Sequence, residues 1–498
     1  MKLPIVSCAE MRRIEEATFA AGVTAERLME EVGAHVALSL GQFPVHGGEA
    51  IVFYGKGNNG GDALVAARHL KIAGWNIVLR PLEEDRGKLS GLARKNLGAL
   101  ESTQSAVQFP LHKKRDRPLI IDGLLGIGAK GPLRPDVRAL AREINALRAQ
   151  RNALVLAVDI PTGLDAETGE ADPDCVVADV TLTAGYAKKG LVADAAAQYV
   201  GRLGVIPLAA FEPHAGGDYL EETATPETLA NVLPRRNFDS HKTQFGRVGI
   251  VAGSPGFTGA AILCASGALR AGAGLITLYA PGEIQEILAI KAPPEIMVRP
   301  VSSYIDVLDE KLDVLALGPG LGKEKAGAVL QLVEDFKGPM VLDADGLNIV
   351  AEHGAALLNR CAGPRLLTPH PGEMARLFPE GKEMSRYDAA SQFTAKHPVT
   401  LLLKGSRTII RERGLPASYN TTGTPAMGSG GMGDVLTGVC AALIGQHLSL
   451  YDAARLGAWV CGRAAELVTA ARSEYGLTAL EVAGRLPAAF GRLPMESV

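Results

Sequence analysis

Gly428-Ser429-Gly430-Gly431-Met432-Gly433-Asp434 runs directly into the apolar stretch Val435-Leu436-Thr437-Gly438-Val439. The spacing predicts a flexible loop feeding a helix N-terminus, with Asp434 in the first turn. Backbone N–H groups of such a loop converge on an anion, and the helix dipole favours negative charge there. Asp434 is therefore expected to stay ionised and serve as a base. Donors for phosphate oxygens and a base for a hydroxyl are the main needs of phosphoryl transfer. A plain Gly-rich turn with a charged cap is the blander alternative.

Working outward, Gly246 to Ala252 opens a series of short apolar strands. It continues through Leu275 to Tyr279, Val314 to Leu317, Met340 to Leu342, Arg365 to Thr368 and Thr400 to Lys404. Near-continuous apolar strands alternating with helical segments predict a mainly parallel sheet covered on both faces. A polar or Gly-rich loop follows several of these strands, where open α/β sheets bind ligands. They are Gly253 to Ala260, Gly318 to Gly322, Asp343 to Asn348, Thr368 to Glu373 and Lys404 to Thr408. Lys404 and Arg407 offer cations to nucleotide phosphates, while the backbone from Gly405 to Thr408 can lie flat against them. His370, between two prolines, suits a substrate contact. Asp343 and Asp345 suit either Mg²⁺ held through water or the orientation of polar groups, and ordinary turn chemistry accounts for them equally well.

The first half has the same rhythm. Helix is expected from Ser7 to about Leu40, opened by the capping-box pattern Ser7-x-x-Glu10, with a second amphipathic segment after Thr24. Strands are expected at Ala50 to Tyr54, Trp75 to Leu79, Pro118 to Asp122, Ala153 to Asp159 and Val180 to Thr183. Gly55 to Asp62 reads as a loop before a helix at Ala63 to Ile72, without the spacing of a dinucleotide fingerprint. Its paired Asn58 and Asn59 suit a polar ligand or a monovalent cation. Asp122 and Asp159 each end a strand. A stretch rich in Pro, Gly and acidic residues, from Phe211 to Thr225, marks the domain boundary, giving domains at 1–215 and 225–498.

A length of 498 residues favours two cores over one, and the net charge of -3 provides no basic field for nucleic acid or anionic membrane. The six cysteines form no pair with metal-binding spacing. The N-terminus lacks the apolar core of a secretory signal, and a cytoplasmic protein is expected. Homo-oligomerisation is expected too, with its order open.

Asn420-Thr421-Thr422-Gly423-Thr424-Pro425-Ala426-Met427 followed by Gly428 to Asp434 resembles the ribokinase-like superfamily. It is closest to the branch that repairs hydrated nicotinamide cofactors, and the loops above match in order and spacing over most of 225–490. The resemblance implies an ADP- or ATP-dependent dehydratase acting on the S epimer of NAD(P)H hydrate (NADHX or NADPHX). It implies hydrate contacts at Ala260, Gly322, His370 and Asp434. Nucleotide contacts are implied at Lys404, Gly405, Ser406, Arg407, Thr408 and Gly433. Tyr54 to Asp62, Asp122 to Pro132 and Val158 to Gly163 resemble the NAD(P)H-hydrate epimerase domain, over roughly 5–210. That likeness implies K⁺ ligands at Asn59, Asp122 and Thr162. It also implies hydrate contacts at Asn58, Asn59, Gly60, Gly61, Asp62, Gly126, Ile127, Gly128, Ala129, Lys130, Gly131, Pro132 and Asp159. Thr162 stands where the family pattern has Ser, which keeps the hydroxyl and adds a methyl.

The implied fold is two three-layer α/β/α domains with mainly parallel sheets, Rossmann-like at the N-terminus and ribokinase-like at the C-terminus. Asp434 is the expected base of the dehydratase and Asp159 the acid/base of the epimerase, with Mg²⁺ serving the first and K⁺ the second. The alternative is a ribokinase-like small-molecule kinase carrying a non-catalytic N-terminal binding domain.

Overall fold

The computed structural model describes residues 2–42, 48–104, 117–471 and 474–493. The chain divides between Tyr219 and Leu220 into two compact units. In the N-terminal unit six parallel strands run in the spatial order Asn76–Pro81, Glu49–Tyr54, Leu119–Gly123, Leu154–Val158, Val180–Ala184, Arg202–Ile206. Alternation along the buried strands explains the layers. Ala50, Val52, Ile121, Leu156 and Val158 join one apolar cluster, while Ile51, Phe53, Ile120, Val155 and Ala157 join the other. Strands buried on both faces need helices on both, which is why they are apolar throughout.

The long N-terminal helical segment is two helices, Cys8–Ala20 and Ala25–Ser39, separated at Gly22. Ser7 caps the first by accepting from the Glu10 amide, but the reciprocal half of the expected box is absent because Glu10 pairs with Arg13. The expected loop Gly55 to Asp62 is shorter than its composition suggested. The helix begins at Asn58, so Asn58 to Asp62 form its first turns.

The C-terminal unit is built on ten strands. Their order is Ile296–Val301, Leu275–Pro281, Arg247–Val251, Val314–Leu317, Met340–Leu342, Arg365–Leu367, Thr400–Leu403, Ile409–Arg411, Ala417–Asn420, Glu221–Ala224. Only Ile409–Arg411 runs against its neighbours. Glu221–Ala224 lies inside the stretch read as linker and pairs with Ala417–Asn420 as the sheet's last strand. Val248, Ile250, Ala316 and Val341 face one cluster; Val251, Leu315, Leu317 and Leu342 face the other. Among the described residues no helix is long and apolar enough to cross a membrane.

Two helices of this unit touch backbone to backbone. A Cβ on Gly438, in helix Met432–Gly445, would lie 1.9 Å from the Cys264 carbonyl oxygen in helix Thr258–Arg270. One on Gly267 would lie 2.3 Å from the Val435 oxygen. A methyl at either place must push the helices apart. Gly438→Ala is expected to lower the stability of this unit by about 2 kcal/mol, as overpacking of about 3 kcal/mol outweighs the gain of about 1 kcal/mol in helix propensity. Urea unfolding checks this, and a variant as stable as the parent would refute the close contact.

Candidate active sites

Loops at the carboxyl ends of the C-terminal unit's strands are knitted into one crevice. The Gly253 amide donates to the Pro319 oxygen at 2.8 Å, and Ser254 Oγ to the Gly320 oxygen at 2.8 Å. The Gly322 amide donates to Asp345 Oδ2 at 2.9 Å, and the Lys404 amide to the Pro369 oxygen at 2.8 Å. Asp343 is buried at their centre. Its Oδ1 accepts from Lys404 Nζ at 2.7 Å, and its Oδ2 from Thr437 Oγ1 at 2.8 Å. Ala344, the next residue, has φ +49°, a left-handed conformation that a residue with a Cβ adopts only under constraint.

Lys404 also approaches Glu373 Oε2 at 3.8 Å. Burial works against its charge, but Asp343 and Glu373 outweigh burial and hold the ammonium protonated. A Cβ on Gly433 would lie 3.2 Å from Lys404 Nζ, so the cation sits against the first turn of the Met432–Gly445 helix. Asp434 belongs to that turn. Its carboxyl is less acidic than an ordinary first-turn carboxylate. Burial, then the neighbouring Asp343, push its pKa up to about 6 against the pull of Lys404. The helix terminus does not win this contest, although the group is still mostly ionised at neutral pH.

His370 does two things. Its Nδ1 accepts from the Gly372 and Glu373 amides at 3.0 and 3.3 Å, and Glu373 Oε2 accepts from the His370 amide at 2.8 Å. An accepting Nδ1 leaves Nε2 to carry the ring proton on a half-exposed side chain. Arg407 is buried, whereas Gly405 and Ser406 are exposed. Arg386, which drew no notice in the sequence, donates to the Leu403 and Arg407 carbonyl oxygens at 3.1 and 2.8 Å and so shapes this loop. Ala260 and Gly320 lie side by side across the Gly253 and Gly318 loops.

In the N-terminal unit the three expected cation ligands come together around Leu125. Asn59 Nδ2 donates to the Leu125 oxygen at 2.7 Å, and the Leu125 amide to Thr162 Oγ1 at 3.3 Å. Thr162 gives its amide and hydroxyl to the two oxygens of Asp122, at 2.8 and 2.7 Å. Burial pushes the Asp122 pKa up to about 6, with the bonds from Thr162 and Leu124 opposing it. Asn59 Oδ1 is buried and meets no donor, a site suited to a cation.

Gly60 and Gly61 are buried in the helix's first turns; a Cβ on Gly60 would lie 2.0 Å from the Gly55 oxygen. Ile127, Ala129 and Lys130 instead border a cleft of about 360 Å³, faced by Cys8, Arg12, Asp165 and Glu167. Gly128, Gly131 and Pro132 are exposed on the same loop, and Asn58 is exposed at the helix start. Asp159 Oδ2 and the Asn59 side chain both lie against Gly126, where a Cβ would stand 3.8 Å from the one and 3.3 Å from the other. Asp159 Oδ1 accepts from Lys188 Nζ at 2.5 Å and Thr183 Oγ1 at 3.0 Å. Burial, then Asp159 and Glu15, raise the pKa of Asp62 well above the ordinary carboxylate range. Lys188 and Thr437 escaped the sequence reading. Lys188 is followed by the exposed Lys189, so nothing in the local sequence singles out the first as the buried one.

The family profile described as NAD(P)H-hydrate dehydratase matches residues 248–487, and that of the YjeF-related protein N-terminus matches residues 25–190. The bifunctional NAD(P)H-hydrate repair enzyme Nnr of Moorella thermoacetica is 36% identical, over 97% of this chain and 96% of its own length. The Escherichia coli enzyme of that name is 36% identical, over 87% of this chain and 83% of its own. A Bacillus subtilis ADP/ATP-dependent NAD(P)H-hydrate dehydratase, co-crystallised with ATP/Mg²⁺, is similar at 29% identity and a TM-score of 0.49. That likeness covers 55% of this chain and 98% of its own. Relatives that span both units do not favour the kinase alternative. By its similarity along nearly its whole length, the chain belongs to the family of bifunctional NAD(P)H-hydrate repair enzymes.

Proposed function

We propose that the C-terminal unit phosphorylates the C6 hydroxyl of S-NAD(P)H hydrate with ADP or ATP and expels phosphate, while the N-terminal unit interconverts the R and S forms. The observation that carries the first assignment is Asp434 in a helix's first turn, beside the Lys404–Asp343 pair. Hydroxide is a poor leaving group. Asp434 takes the hydroxyl proton as the oxygen attacks the terminal phosphorus and the nucleotide leaves one phosphate shorter. The ring nitrogen then pushes out phosphate, and loss of a C5 proton restores the double bond. Amides from Gly431 to Gly433 and the Lys404 ammonium stabilise the transferring phosphoryl. His370 Nε2–H, with Ala260 and Gly322 on the facing loops, orients the hydrate; Gly405 to Thr408 carry the nucleotide.

Mg²⁺ supplies charge neutralisation on the phosphates. Asp343 and Asp345 already bind Lys404, Thr437 and the Gly322 amide, which supports an ion carried mainly by the nucleotide.

In the N-terminal unit Asp159 is the acid/base that moves the proton as the C6–O bond breaks and reforms, or as the ring opens and closes. Hydrate contacts run from Asn58 to Asp62 and along Gly126 to Pro132. Asn59, with Thr162 and Asp122, holds K⁺, and the orphaned Asn59 oxygen supports that role. K⁺ supplies positive charge to the crevice.

A mixture of R- and S-NADHX with Mg²⁺, K⁺ and ADP or ATP tests both activities by ultraviolet absorbance. Complete conversion with one nucleotide consumed per hydrate is expected; a stop after the S form removes the epimerase, and a stable phosphorylated product removes the elimination. Because Asp434 must be ionised to act, kcat/KM for dehydration is expected to rise through an acid limb near pH 6. A limb near about pH 4, where an ordinary carboxylate titrates, would contradict the buried base. Asp434→Asn is expected to abolish turnover with nucleotide binding kept, by calorimetry. Asn59→Ala is expected to raise the K⁺ needed for half-maximal epimerisation by about tenfold or more; an unchanged K⁺ titration refutes that ligand.

A further inference from the structure

Lys188 is buried at the end of the short strand Ala187–Lys188, and its three N–H bonds are fully spent. Nζ donates to Asp159 Oδ1 at 2.5 Å, Thr183 Oγ1 at 2.8 Å and the Ala184 oxygen at 3.1 Å. Asp159 is the only carboxylate it bonds among the described residues. The Ala184 amide and Thr183 hydroxyl also donate to the same Oδ1, at 3.3 and 3.0 Å. One oxygen of Asp159 is thus anchored three times over, while Oδ2 is left facing Gly126. Asp159 itself has φ +64°, a left-handed backbone that a residue with a Cβ seldom adopts. A buried ammonium is costly unless paired, so the fold keeps this one for what it does to Asp159.

We propose that Lys188 is the positioning residue of the epimerase, fixing one oxygen of Asp159 so that the other meets the hydrate. This rests on the reading of Asp159 as the acid/base. The charged groups facing the pair are Asp62 and Glu15, with Arg12 and Glu16 beyond Glu15. Without Lys188 the crevice would hold three carboxylates and no buried cation, and Asp159 would lose its fixed aim. Lys188 touches no reacting atom; it acts only through Asp159. Its loss must therefore appear in kcat rather than KM, and must vanish once Asp159 cannot act.

The experiment is a double-mutant cycle on the full chain with K⁺ present, following R-to-S interconversion. Lys188→Met is expected to lower kcat by about 10²-fold or more with KM within about threefold, the scale of a lost acid/base contribution. Lys188→Arg, which keeps the charge, is expected to recover part of it. In an Asp159→Asn background Lys188→Met is expected to cost nothing further. Independent losses at the two positions, or a change confined to KM, would overturn the proposal. Wild-type interconversion by Asp159→Asn alone would instead remove the acid/base reading beneath it. Should Lys188→Met fail to fold, Thr183→Val takes its place. Its smaller loss must likewise disappear in the Asp159→Asn background, and a loss that persists there overturns the proposal.

Discussion

Backbone contact between two helices sets the C-terminal crevice. Gly438 and Gly267 remove the side chains that would hold Met432–Gly445 and Thr258–Arg270 at ordinary separation. Thr258–Arg270 starts beyond the carboxyl end of strand Arg247–Val251, and Met432–Gly445 starts beside Asp343 and Lys404, at the carboxyl ends of two strands parallel to it, so the two run in the same general sense. Their N-termini lie at one end, and each is fed by a glycine loop expected to meet ligand. Two helix N-termini side by side add their partial positive charges in one place. That is the most direct way this fold concentrates donors without a basic surface, and it fits a chain with net charge -3.

The same closeness explains why Asp434 is not an ordinary first-turn carboxylate. Tight packing removes water, and Asp343 is near enough to repel a second negative charge. Lys404 restrains the shift by standing between acids. Asp343, Lys404 and Thr437 come from a strand end, another strand end and a helix, so their meeting depends on the sheet and on the helix contact together.

Much of this was legible in the sequence because parallel strands buried on both faces leave an unmistakable apolar rhythm. Val314–Leu317 and Met340–Leu342 have the expected ends. Of the strands missed, Ile296–Val301 and Glu221–Ala224 lie at the sheet's margins and carry exposed or half-buried polar residues, while Ile409–Arg411 and Ala417–Asn420 are too short, or too polar, to show the apolar rhythm. Asn58 to Asp62 read as loop because glycine and asparagine are poor helix formers; packing against Met29 and Gly55 overrides propensity there. Individual strand-end carboxylates could be found by position. What holds them could not: Lys188, Thr437 and Arg386 act over 29, 94 and 17 to 21 residues of sequence.

The two units, unlike in topology, share an electrostatic device. In each, a lysine withdrawn from solvent, fully for Lys188 and partly for Lys404, binds a strand-end carboxylate: Lys404 with Asp343, Lys188 with Asp159. In each, a second carboxylate nearby is pushed toward its protonated form by burial and by that first acid, Asp434 in one and Asp62 in the other. Separating the behaviour of two neighbouring acids is how a site obtains distinct proton donors and acceptors near neutral pH. The units use the arrangement differently. Asp434 stands in the first turn of its helix beside Lys404, whereas Asp62 sits in the second turn of its helix beside Asp159 and Glu15. In the proposed reading the first arrangement puts the base next to the transferring phosphoryl, and the second puts it next to another acid able to hold a proton.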